Sequence, residues 1–266
     1  MIMLTIERQE QIKNILLEQK SVSVADLTAR FDVSFETIRR DLKVLEKEGF
    51  VEKSYGGAIL KQRVNNTADF QMLSNIMVEA KQRMAAMALN FISPGDCIYI
   101  GFATTCVQIA ELLDNIPITV LTSSLEVMNK LSGKKNITLF STGGAWDARN
   151  CAFTGRTAVD NLAQFHLDKA FISCRALSME NGISDKTEAE SDMRRRIVES
   201  SNEVYLLADN SKFGKMTFVK TCGFERITAV ITDKTLSKPW ASFLDDLKIA
   251  HYDCEHPLES AEDPEK

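Results

Sequence analysis

The sequence predicts an α/β protein in two parts: an N-terminal winged helix-turn-helix and, behind it, a larger unit built on a mostly parallel sheet. Three observations carry this expectation. Residues 5–60 read as three short helices followed by a tight hairpin; from Ile76 short apolar, β-rich runs alternate with helical stretches; and a polar stretch without sustained periodicity separates the two patterns. The expected boundaries are 1–60 for the first unit, 61–75 for a linker, 76–252 for the second unit and 253–266 for an acidic, proline-containing tail expected to fray.

The first helix runs from a Thr5 cap to near Lys20, with Ile12, Ile15 and Leu16 at helical spacing. Ser21 or Ser23 caps a short second helix carrying Val24, Ala25 and Leu27. After a turn through Phe31, Asp32 and Val33, Ser34 caps a third helix to about Glu48, which Gly49 ends. Strands near Val51–Ser54 and Ala58–Leu60, joined through Tyr55-Gly56-Gly57, complete the wing. On the third helix Phe35, Ile38, Leu42 and Leu45 form the expected buried stripe, and Glu36, Arg39, Arg40, Lys43 and Lys47 fall opposite.

That cationic face suits a helix laid in a major groove, where arginine can pair bidentately with guanine. Arg39 and Arg40 are the candidate base readers, with Ser34, Glu36, Thr37 and Lys43 beside them. In the wing, Lys53, Tyr55 and the Gly56-Gly57 pair are placed for close approach to phosphate. A charged helix face alone is equally compatible with simple solvation, so the weight lies on the whole pattern.

In the second unit, strands are expected at Cys97–Ile100, Ile118–Leu121, Ile137–Phe140, Ala170–Ile172, Val204–Leu207 and Ala229–Ile231, alternating with helices over 76–92, 105–113, 124–132, 156–165 and 187–201. Three strands run into loops of small and hydroxyl residues: Ala103-Thr104-Thr105, Thr122-Ser123-Ser124 and Thr142-Gly143-Gly144. Ligands gather at the carboxyl ends of such strands, and free N–H groups at a following helix favour phosphate. The same residues also cap helices without any ligand.

Composition narrows the classes. Of 266 residues 44% are hydrophobic and 26% charged, enough for one small and one medium core. No apolar run approaches the ~18 residues of a membrane span, and the N-terminus turns charged too early for a signal peptide, so a cytoplasmic protein is expected. The six cysteines are widely separated with only three histidines, which suggests reduced, mostly buried thiols and no metal or cofactor. The net charge of −5 falls entirely on residues 62–266; residues 1–61 hold ten Lys+Arg and ten Asp+Glu. A neutral reading head has little electrostatic affinity of its own, so a homo-oligomer engaging paired half-sites is expected.

The run S-V-A-D-L-T-A-R-F-D-V-S-F-E-T-I-R-R-D-L-K-V-L-E-K-E-G and the wing after it resemble the DeoR family of bacterial sugar-metabolism regulators. The family signature T-I-R-R-D-L-x-x-L-E-x-x-G and G-G-A wing are matched by Thr37–Gly49 and Gly56–Ala58. Further matches are Ala103–Thr105, Thr122–Leu125, Gly143 and Gly144 with Arg149 downstream, Phe153–Gly155, Asp168–Ser173, Gly182 and Ala208–Gly214. The resemblance implies a sensor unit with a fold like ribose-5-phosphate isomerase, a phosphorylated sugar as effector, and double-stranded operator DNA as partner. It places Lys212 and Arg149 on the phosphate and Asp209 and Glu190 on sugar hydroxyls, with Ala103, Thr104, Thr105, Ser123, Ser124, Gly143 and Gly144 as the cradle; Glu190 could instead pair with Arg194 at i,i+4.

Two departures matter. Gly101 and bulky Phe102 stand where many members carry Asp, and Ala176-Leu177-Ser178 replaces G-I-D. An isomerase needs a carboxylate general base; its loss at Gly101 and Ser178 argues against catalysis, and no catalytic residue is assigned. A single-stranded nucleic-acid binder would need a broad basic, aromatic surface that this chain lacks.

Overall fold

In the computed structural model, which describes residues 4–60 and 70–256, the chain divides between Met77 and Val78, and each unit is built around its own core. Helix α1 spans Thr5–Gln19; its cap is Leu4 with no side-chain bond, so Thr5 is the first helical residue and not the cap. Ser23 caps α2 (Val24–Phe31) by accepting from the Asp26 N–H, and Asp32, in the left-handed region at φ 50°, closes it. Ser34 caps α3 (Phe35–Lys47) by accepting from the Thr37 N–H. Strands β2 (Val51–Ser54) and β3 (Gly57–Leu60) form the wing.

A third strand, β1 (Ser21–Ser23), joins them antiparallel in the order β1-β3-β2. Three residues between two helices carry too little alternation to be read, yet Val22 is buried in the core with Ile12, Leu16, Leu27, Ile38, Leu45 and Phe50. Phe35 is not part of the buried stripe: it is 53% exposed in the first turn of α3, and core contact begins at Ile38. The fourth buried position of that stripe is Asp41. Of the expected linker, residues 61–69 lie outside the described residues. Residues 70–74 form α4 (Phe70–Ser74), and Met72, Leu73, Ile76 and Met77 pack on the first core.

The second unit carries a seven-stranded, wholly parallel sheet of order β15-β14-β12-β9-β4-β5-β6. Its strands are β4 (Cys97–Ile100), β5 (Ile118–Thr122), β6 (Ile137–Ser141), β9 (Leu167–Ile172), β12 (Ser201–Leu207), β14 (Ala229–Thr232) and β15 (Ala250–Asp253). Helices α5 (Val78–Leu89), α6 (Thr104–Leu112), α7 (Leu125–Leu131), α8 (Arg156–Leu162), α9 (Glu188–Glu199) and α10 (Lys238–Asp246) connect or flank them. Strand order runs outward one way through β4, β5 and β6 and the other way through β9, β12, β14 and β15, so β4 and β9 flank the switch point where open α/β sheets form a crevice.

Two small antiparallel pieces follow the carboxyl ends of β6 and β9. The hairpin β7 (Ala145–Asp147) and β8 (Ala152–Thr154) bridges back to Ser124 at the end of β5. The sheet β10 (Ala176–Ser178), β11 (Gly182–Asp185) and β13 (Val219–Cys222) follows β9 and reaches Phe213. Strand β15 takes Asp253, assigned from sequence to the tail; residues 257–266 lie outside the described residues. Only Cys106 and Cys174 are fully buried, so the expectation of mostly buried thiols is corrected: Cys97, Cys151, Cys222 and Cys254 are partly exposed. Among the described residues no helix is long and apolar enough to cross a membrane.

Candidate functional site

The first candidate surface is the outer face of α3. Glu36, Arg39, Arg40 and Lys43 are exposed there, and among the described residues neither arginine nor Lys43 makes an ion pair. The face is held by an internal brace: Asp41, 1% exposed, accepts from Arg8 Nε at 2.6 Å and from Gln9 Nε2 at 2.9 Å, which ties α3 to α1. Ser34 and Thr37 hydroxyls lie 2.9 Å apart and are occupied with each other and with the cap, so they serve the helix start first.

In the wing, Tyr55 is fully exposed and Gly56 adopts φ 76°, a turn conformation that glycine takes without strain. Lys53 Nζ sits 2.5 Å from Glu46 Oε2 on α3. Gly57 also serves the fold. A Cβ there would lie 2.0 Å from the Val22 carbonyl oxygen, so the missing side chain lets β1 pair with β3.

The second candidate site is the carboxyl edge of the large sheet. Ala103 caps α6 without a side-chain bond, and Thr104 and Thr105 are buried in its first turn, whose N–H groups have no partner within the helix. Beside them, a cleft is lined by Gly101, Phe102, Ala103, Ile172, Ser173, Arg194 and Ile197. Across the switch point Lys212 Nζ donates to Ser173 Oγ at 2.7 Å and stands 3.7 Å from Asp209 Oδ2. Asp209 is 4% exposed; burial pushes its carboxyl up, but Lys212, the Ser211 hydrogen bonds and Lys81 together hold it below the ordinary range. The ends of β4, β9 and β12 thus converge.

Other candidates fall elsewhere. Ser123 and Ser124 are fully buried with hydroxyls in use, Ser123 with Tyr99 OH at 2.8 Å and Ser124 as the cap of α7 at 3.3 Å. Gly143 and Gly144 follow β6, four strand positions from β12, roughly 19 Å at the sheet. They shape the hairpin: Gly144 has φ 116°, and a Cβ on it would lie 2.7 Å from the Thr154 carbonyl oxygen. Arg149, near the hairpin tip, is exposed, and the adjacent Asn150 donates to Glu190 Oε1 at 2.8 Å. Glu190 also accepts from the Lys186 N–H at 3.3 Å, so it braces the hairpin instead of standing open. The alternative Glu190–Arg194 pair does not form, because Arg194 bonds the Ser173 carbonyl at 2.6 Å and pairs with buried Asp185.

Two residues at this edge escaped the sequence reading. Arg175 donates to Asn150 Oδ1 at 3.3 Å. Lys81, 5% exposed, lies among Asp209, Lys212 and Arg175; burial pulls its ammonium down to about 7, with Asp209 opposing and the two cations adding to the fall. A signal was present: Lys81, Ala85 and Ala88 fall on the buried side of α5 at helical spacing.

Burial pushes the Cys106 and Cys174 thiols up to about 12, so neither is a thiolate near neutral pH. A Cβ at Gly101 would stand 3.2 Å from the Phe171 carbonyl oxygen, and buried Phe102 lies under the Arg194 guanidinium at 5.9 Å. Ser178 closes the β10–β11 turn by accepting from the Asn181 N–H at 3.3 Å.

The model of the DeoR-like helix-turn-helix domain matches residues 8–64, and that of the DeoR C terminal sensor domain matches residues 76–234. The chain is 31% identical to the L-fucose operon activator of Haemophilus influenzae, covering 86% of this chain and 92% of that one. It is 32% identical to the putative aga operon transcriptional repressor of Escherichia coli O157:H7, covering 86% and 87%. Ribose 5-phosphate isomerase A from Methanocaldococcus jannaschii superposes on 51% of this chain and 54% of its own at 16% identity and a TM-score of 0.38.

Proposed function

The chain belongs to the DeoR family of helix-turn-helix transcriptional regulators, and from that membership we propose that it is a sugar-responsive repressor of a carbohydrate-metabolism operon. In this reading α3 enters the major groove of double-stranded operator DNA, with Arg39 and Arg40 on base edges, Lys43 and Lys53 on phosphates and Tyr55 at the wing tip. A phosphorylated sugar occupies the carboxyl edge of the large sheet, its phosphate on the first turn of α6 and Lys212, its hydroxyls on Asp209. The binding form is a homo-oligomer, which sedimentation on and off operator DNA tests.

The observation that carries the proposal is that Ala103 and Ser173 line one cleft at the switch point, with Lys212 bonded to Ser173 and beside Asp209, in a chain whose other unit presents an exposed arginine pair. Relatives named as an operon activator and as an operon repressor match almost equally well, so the direction of control is read from whether a phosphorylated sugar releases or tightens the operator complex. Groove reading is tested by anisotropy on selected operator fragments. Arg39→Ala or Arg40→Ala is expected to weaken binding by about 1–3 kcal/mol and to relax discrimination at one base. Unchanged affinity and footprint in both variants would remove α3 from the groove.

A further inference from the structure

The turn that carries Lys212 is held by two buried carboxylates at the ends of neighbouring strands. Asp209 caps the 3-10 turn Asn210–Lys212 from the end of β12 by accepting from the Ser211 N–H at 3.0 Å. Asp233, one residue past the end of β14, takes the next donor: its Oδ1 accepts from the Asn210 N–H at 2.7 Å. Strands β12 and β14 pair in parallel, and the Ala208 N–H carries the ladder on by donating to the Ile231 carbonyl at 2.9 Å. The two aspartates are therefore fixed side by side by the sheet itself, each on one N–H of the same turn.

Asp233 sits there at a cost. It is 1% exposed, and its second oxygen, Oδ2, is buried without a hydrogen-bond partner. Burial disfavours its charge, the Asn210 N–H favours it, and the Asp209 carboxylate adds to the penalty. Buried polar atoms are nearly always hydrogen-bonded, so an exception calls for a reason. The turn supplies one. Lys212 donates its N–H to the Asp209 carbonyl at 3.0 Å, and its Nζ reaches Ser173 Oγ, at 2.7 Å, in the wall of the cleft that Ala103 also lines. An ammonium on a flexible four-carbon stem is aimed by where its backbone is held.

We propose that Asp233 is a positioning residue of the phosphate site: through the Asn210 N–H it fixes the turn that aims Lys212, without touching the ligand itself. The inference rests on the reading of this edge as a phosphate site and adds to it a residue at the end of β14, a strand outside every loop assigned to the ligand. Linkage gives the proposal a reciprocal form. If the turn must be in place for phosphate to bind tightly, bound phosphate must hold the turn in place.

The test uses the full-length protein with inorganic phosphate as probe, titrated by calorimetry into wild type, Asp233→Ala, Asp233→Asn, Lys212→Ala and the double variant Lys212→Ala with Asp233→Ala. Asp233→Ala removes the acceptor and is expected to weaken binding about tenfold, whereas Asp233→Asn keeps an acceptor for the Asn210 N–H and is expected to bind within about threefold of wild type. In the double variant Asp233→Ala is expected to add nothing to the loss from Lys212→Ala, because Asp233 acts only through that side chain. A loss of equal size in both backgrounds, or Asp233→Asn as weak as Asp233→Ala, overturns the inference. So does Asp233→Ala matching wild type while Lys212→Ala binds weakly, an outcome that leaves the site reading standing. Amide exchange in wild type needs no variant. Phosphate at a hundred times its Kd is expected to slow exchange at Asn210 about hundredfold, while Thr235, whose N–H bonds exposed Glu255 at 3.1 Å, stays unchanged; exchange at Asn210 indifferent to bound phosphate overturns the inference even if Asp233→Ala fails to fold. A wild type that binds no phosphate overturns both readings.

Discussion

Asp41→Ala should abolish operator binding without touching the DNA-facing surface. The carboxylate is 1% exposed and its partner Arg8 6%, with the Nε–Oδ2 distance at 2.6 Å. Removing one member of such a buried pair leaves a guanidinium without its counter-charge, which costs about 3–5 kcal/mol. A domain of this size has roughly 3–10 kcal/mol of stability in total. The substitution therefore removes about a third or more of the stability of the first unit. Both tryptophans, Trp146 and Trp240, belong to the second unit, so tryptophan fluorescence in urea reports that unit alone. The expected result is an unchanged fluorescence midpoint, loss of amide protection over 4–60, and loss of DNA affinity at 37 °C. Arg8→Met with Asp41→Leu exchanges the pair for apolar packing and should restore the fold to within about 1–2 kcal/mol. Amide protection in Asp41→Ala equal to wild type would refute the brace.

Other expectations follow from single positions. Gly57→Ala should cost the first unit about 1–3 kcal/mol by forcing β1 from β3, because its Cβ meets the Val22 backbone at 2.0 Å, while Gly56→Ala meets no atom and costs only the φ 76° strain, about 1 kcal/mol; equal urea midpoints for the two would contradict this. Lys81→Met should stabilise the second unit most at pH 7 and below. With a folded pKa of about 7 against the ordinary 10.5, the unfolded chain binds the additional proton between those values, so the wild-type penalty fades as pH rises and the variant's gain, roughly 3–5 kcal/mol at pH 7, disappears near 10.5. Urea titrations at pH 7 and pH 10 check the sign; a gain that grows with pH would reverse it.

The elements with strong local signals were legible. Ser34 and, of the two candidates Ser21 and Ser23, Ser23 cap the helices expected there, and the alternation after Ile76 corresponds to a parallel sheet in which the six expected strands begin within three residues of their expected starts, with β15 added at the edge. What stayed hidden depends on partners distant in sequence. β1 is strand only because β3 lies beside it, and the hairpins β7–β8 and β10–β11 are too short for periodicity to register. Asp41 reads as a solvated charge until Arg8, 33 residues earlier, is folded against it. Phe35 reads as core because spacing says which face a residue occupies and not where along the helix contact begins. At the sheet edge, residue type pointed to strand ends but could not single out a hydroxyl spent on a cap, as Ser124 is. Lys212 and Asp209 come together through a local 3-10 turn, whereas Lys81 reaches them from a helix more than a hundred residues away in sequence.

The central claim, that an anion at the carboxyl edge of the sheet governs the grip of α3 on DNA, is tested most directly by titrating phosphorylated pentoses and hexoses into the preformed operator complex of wild type, Thr104→Val and Lys212→Ala. The account predicts release of wild type by at least one of these sugars, release of Lys212→Ala only at roughly ten- to hundredfold higher concentration with its affinity for DNA unchanged, and a smaller shift for Thr104→Val, which loses a neutral hydroxyl and keeps the backbone donors. Tightening of the complex by the sugar would reverse the direction of control and keep the site. Wild type indifferent to every phosphorylated sugar, or Lys212→Ala responding at the wild-type concentration, would contradict the account.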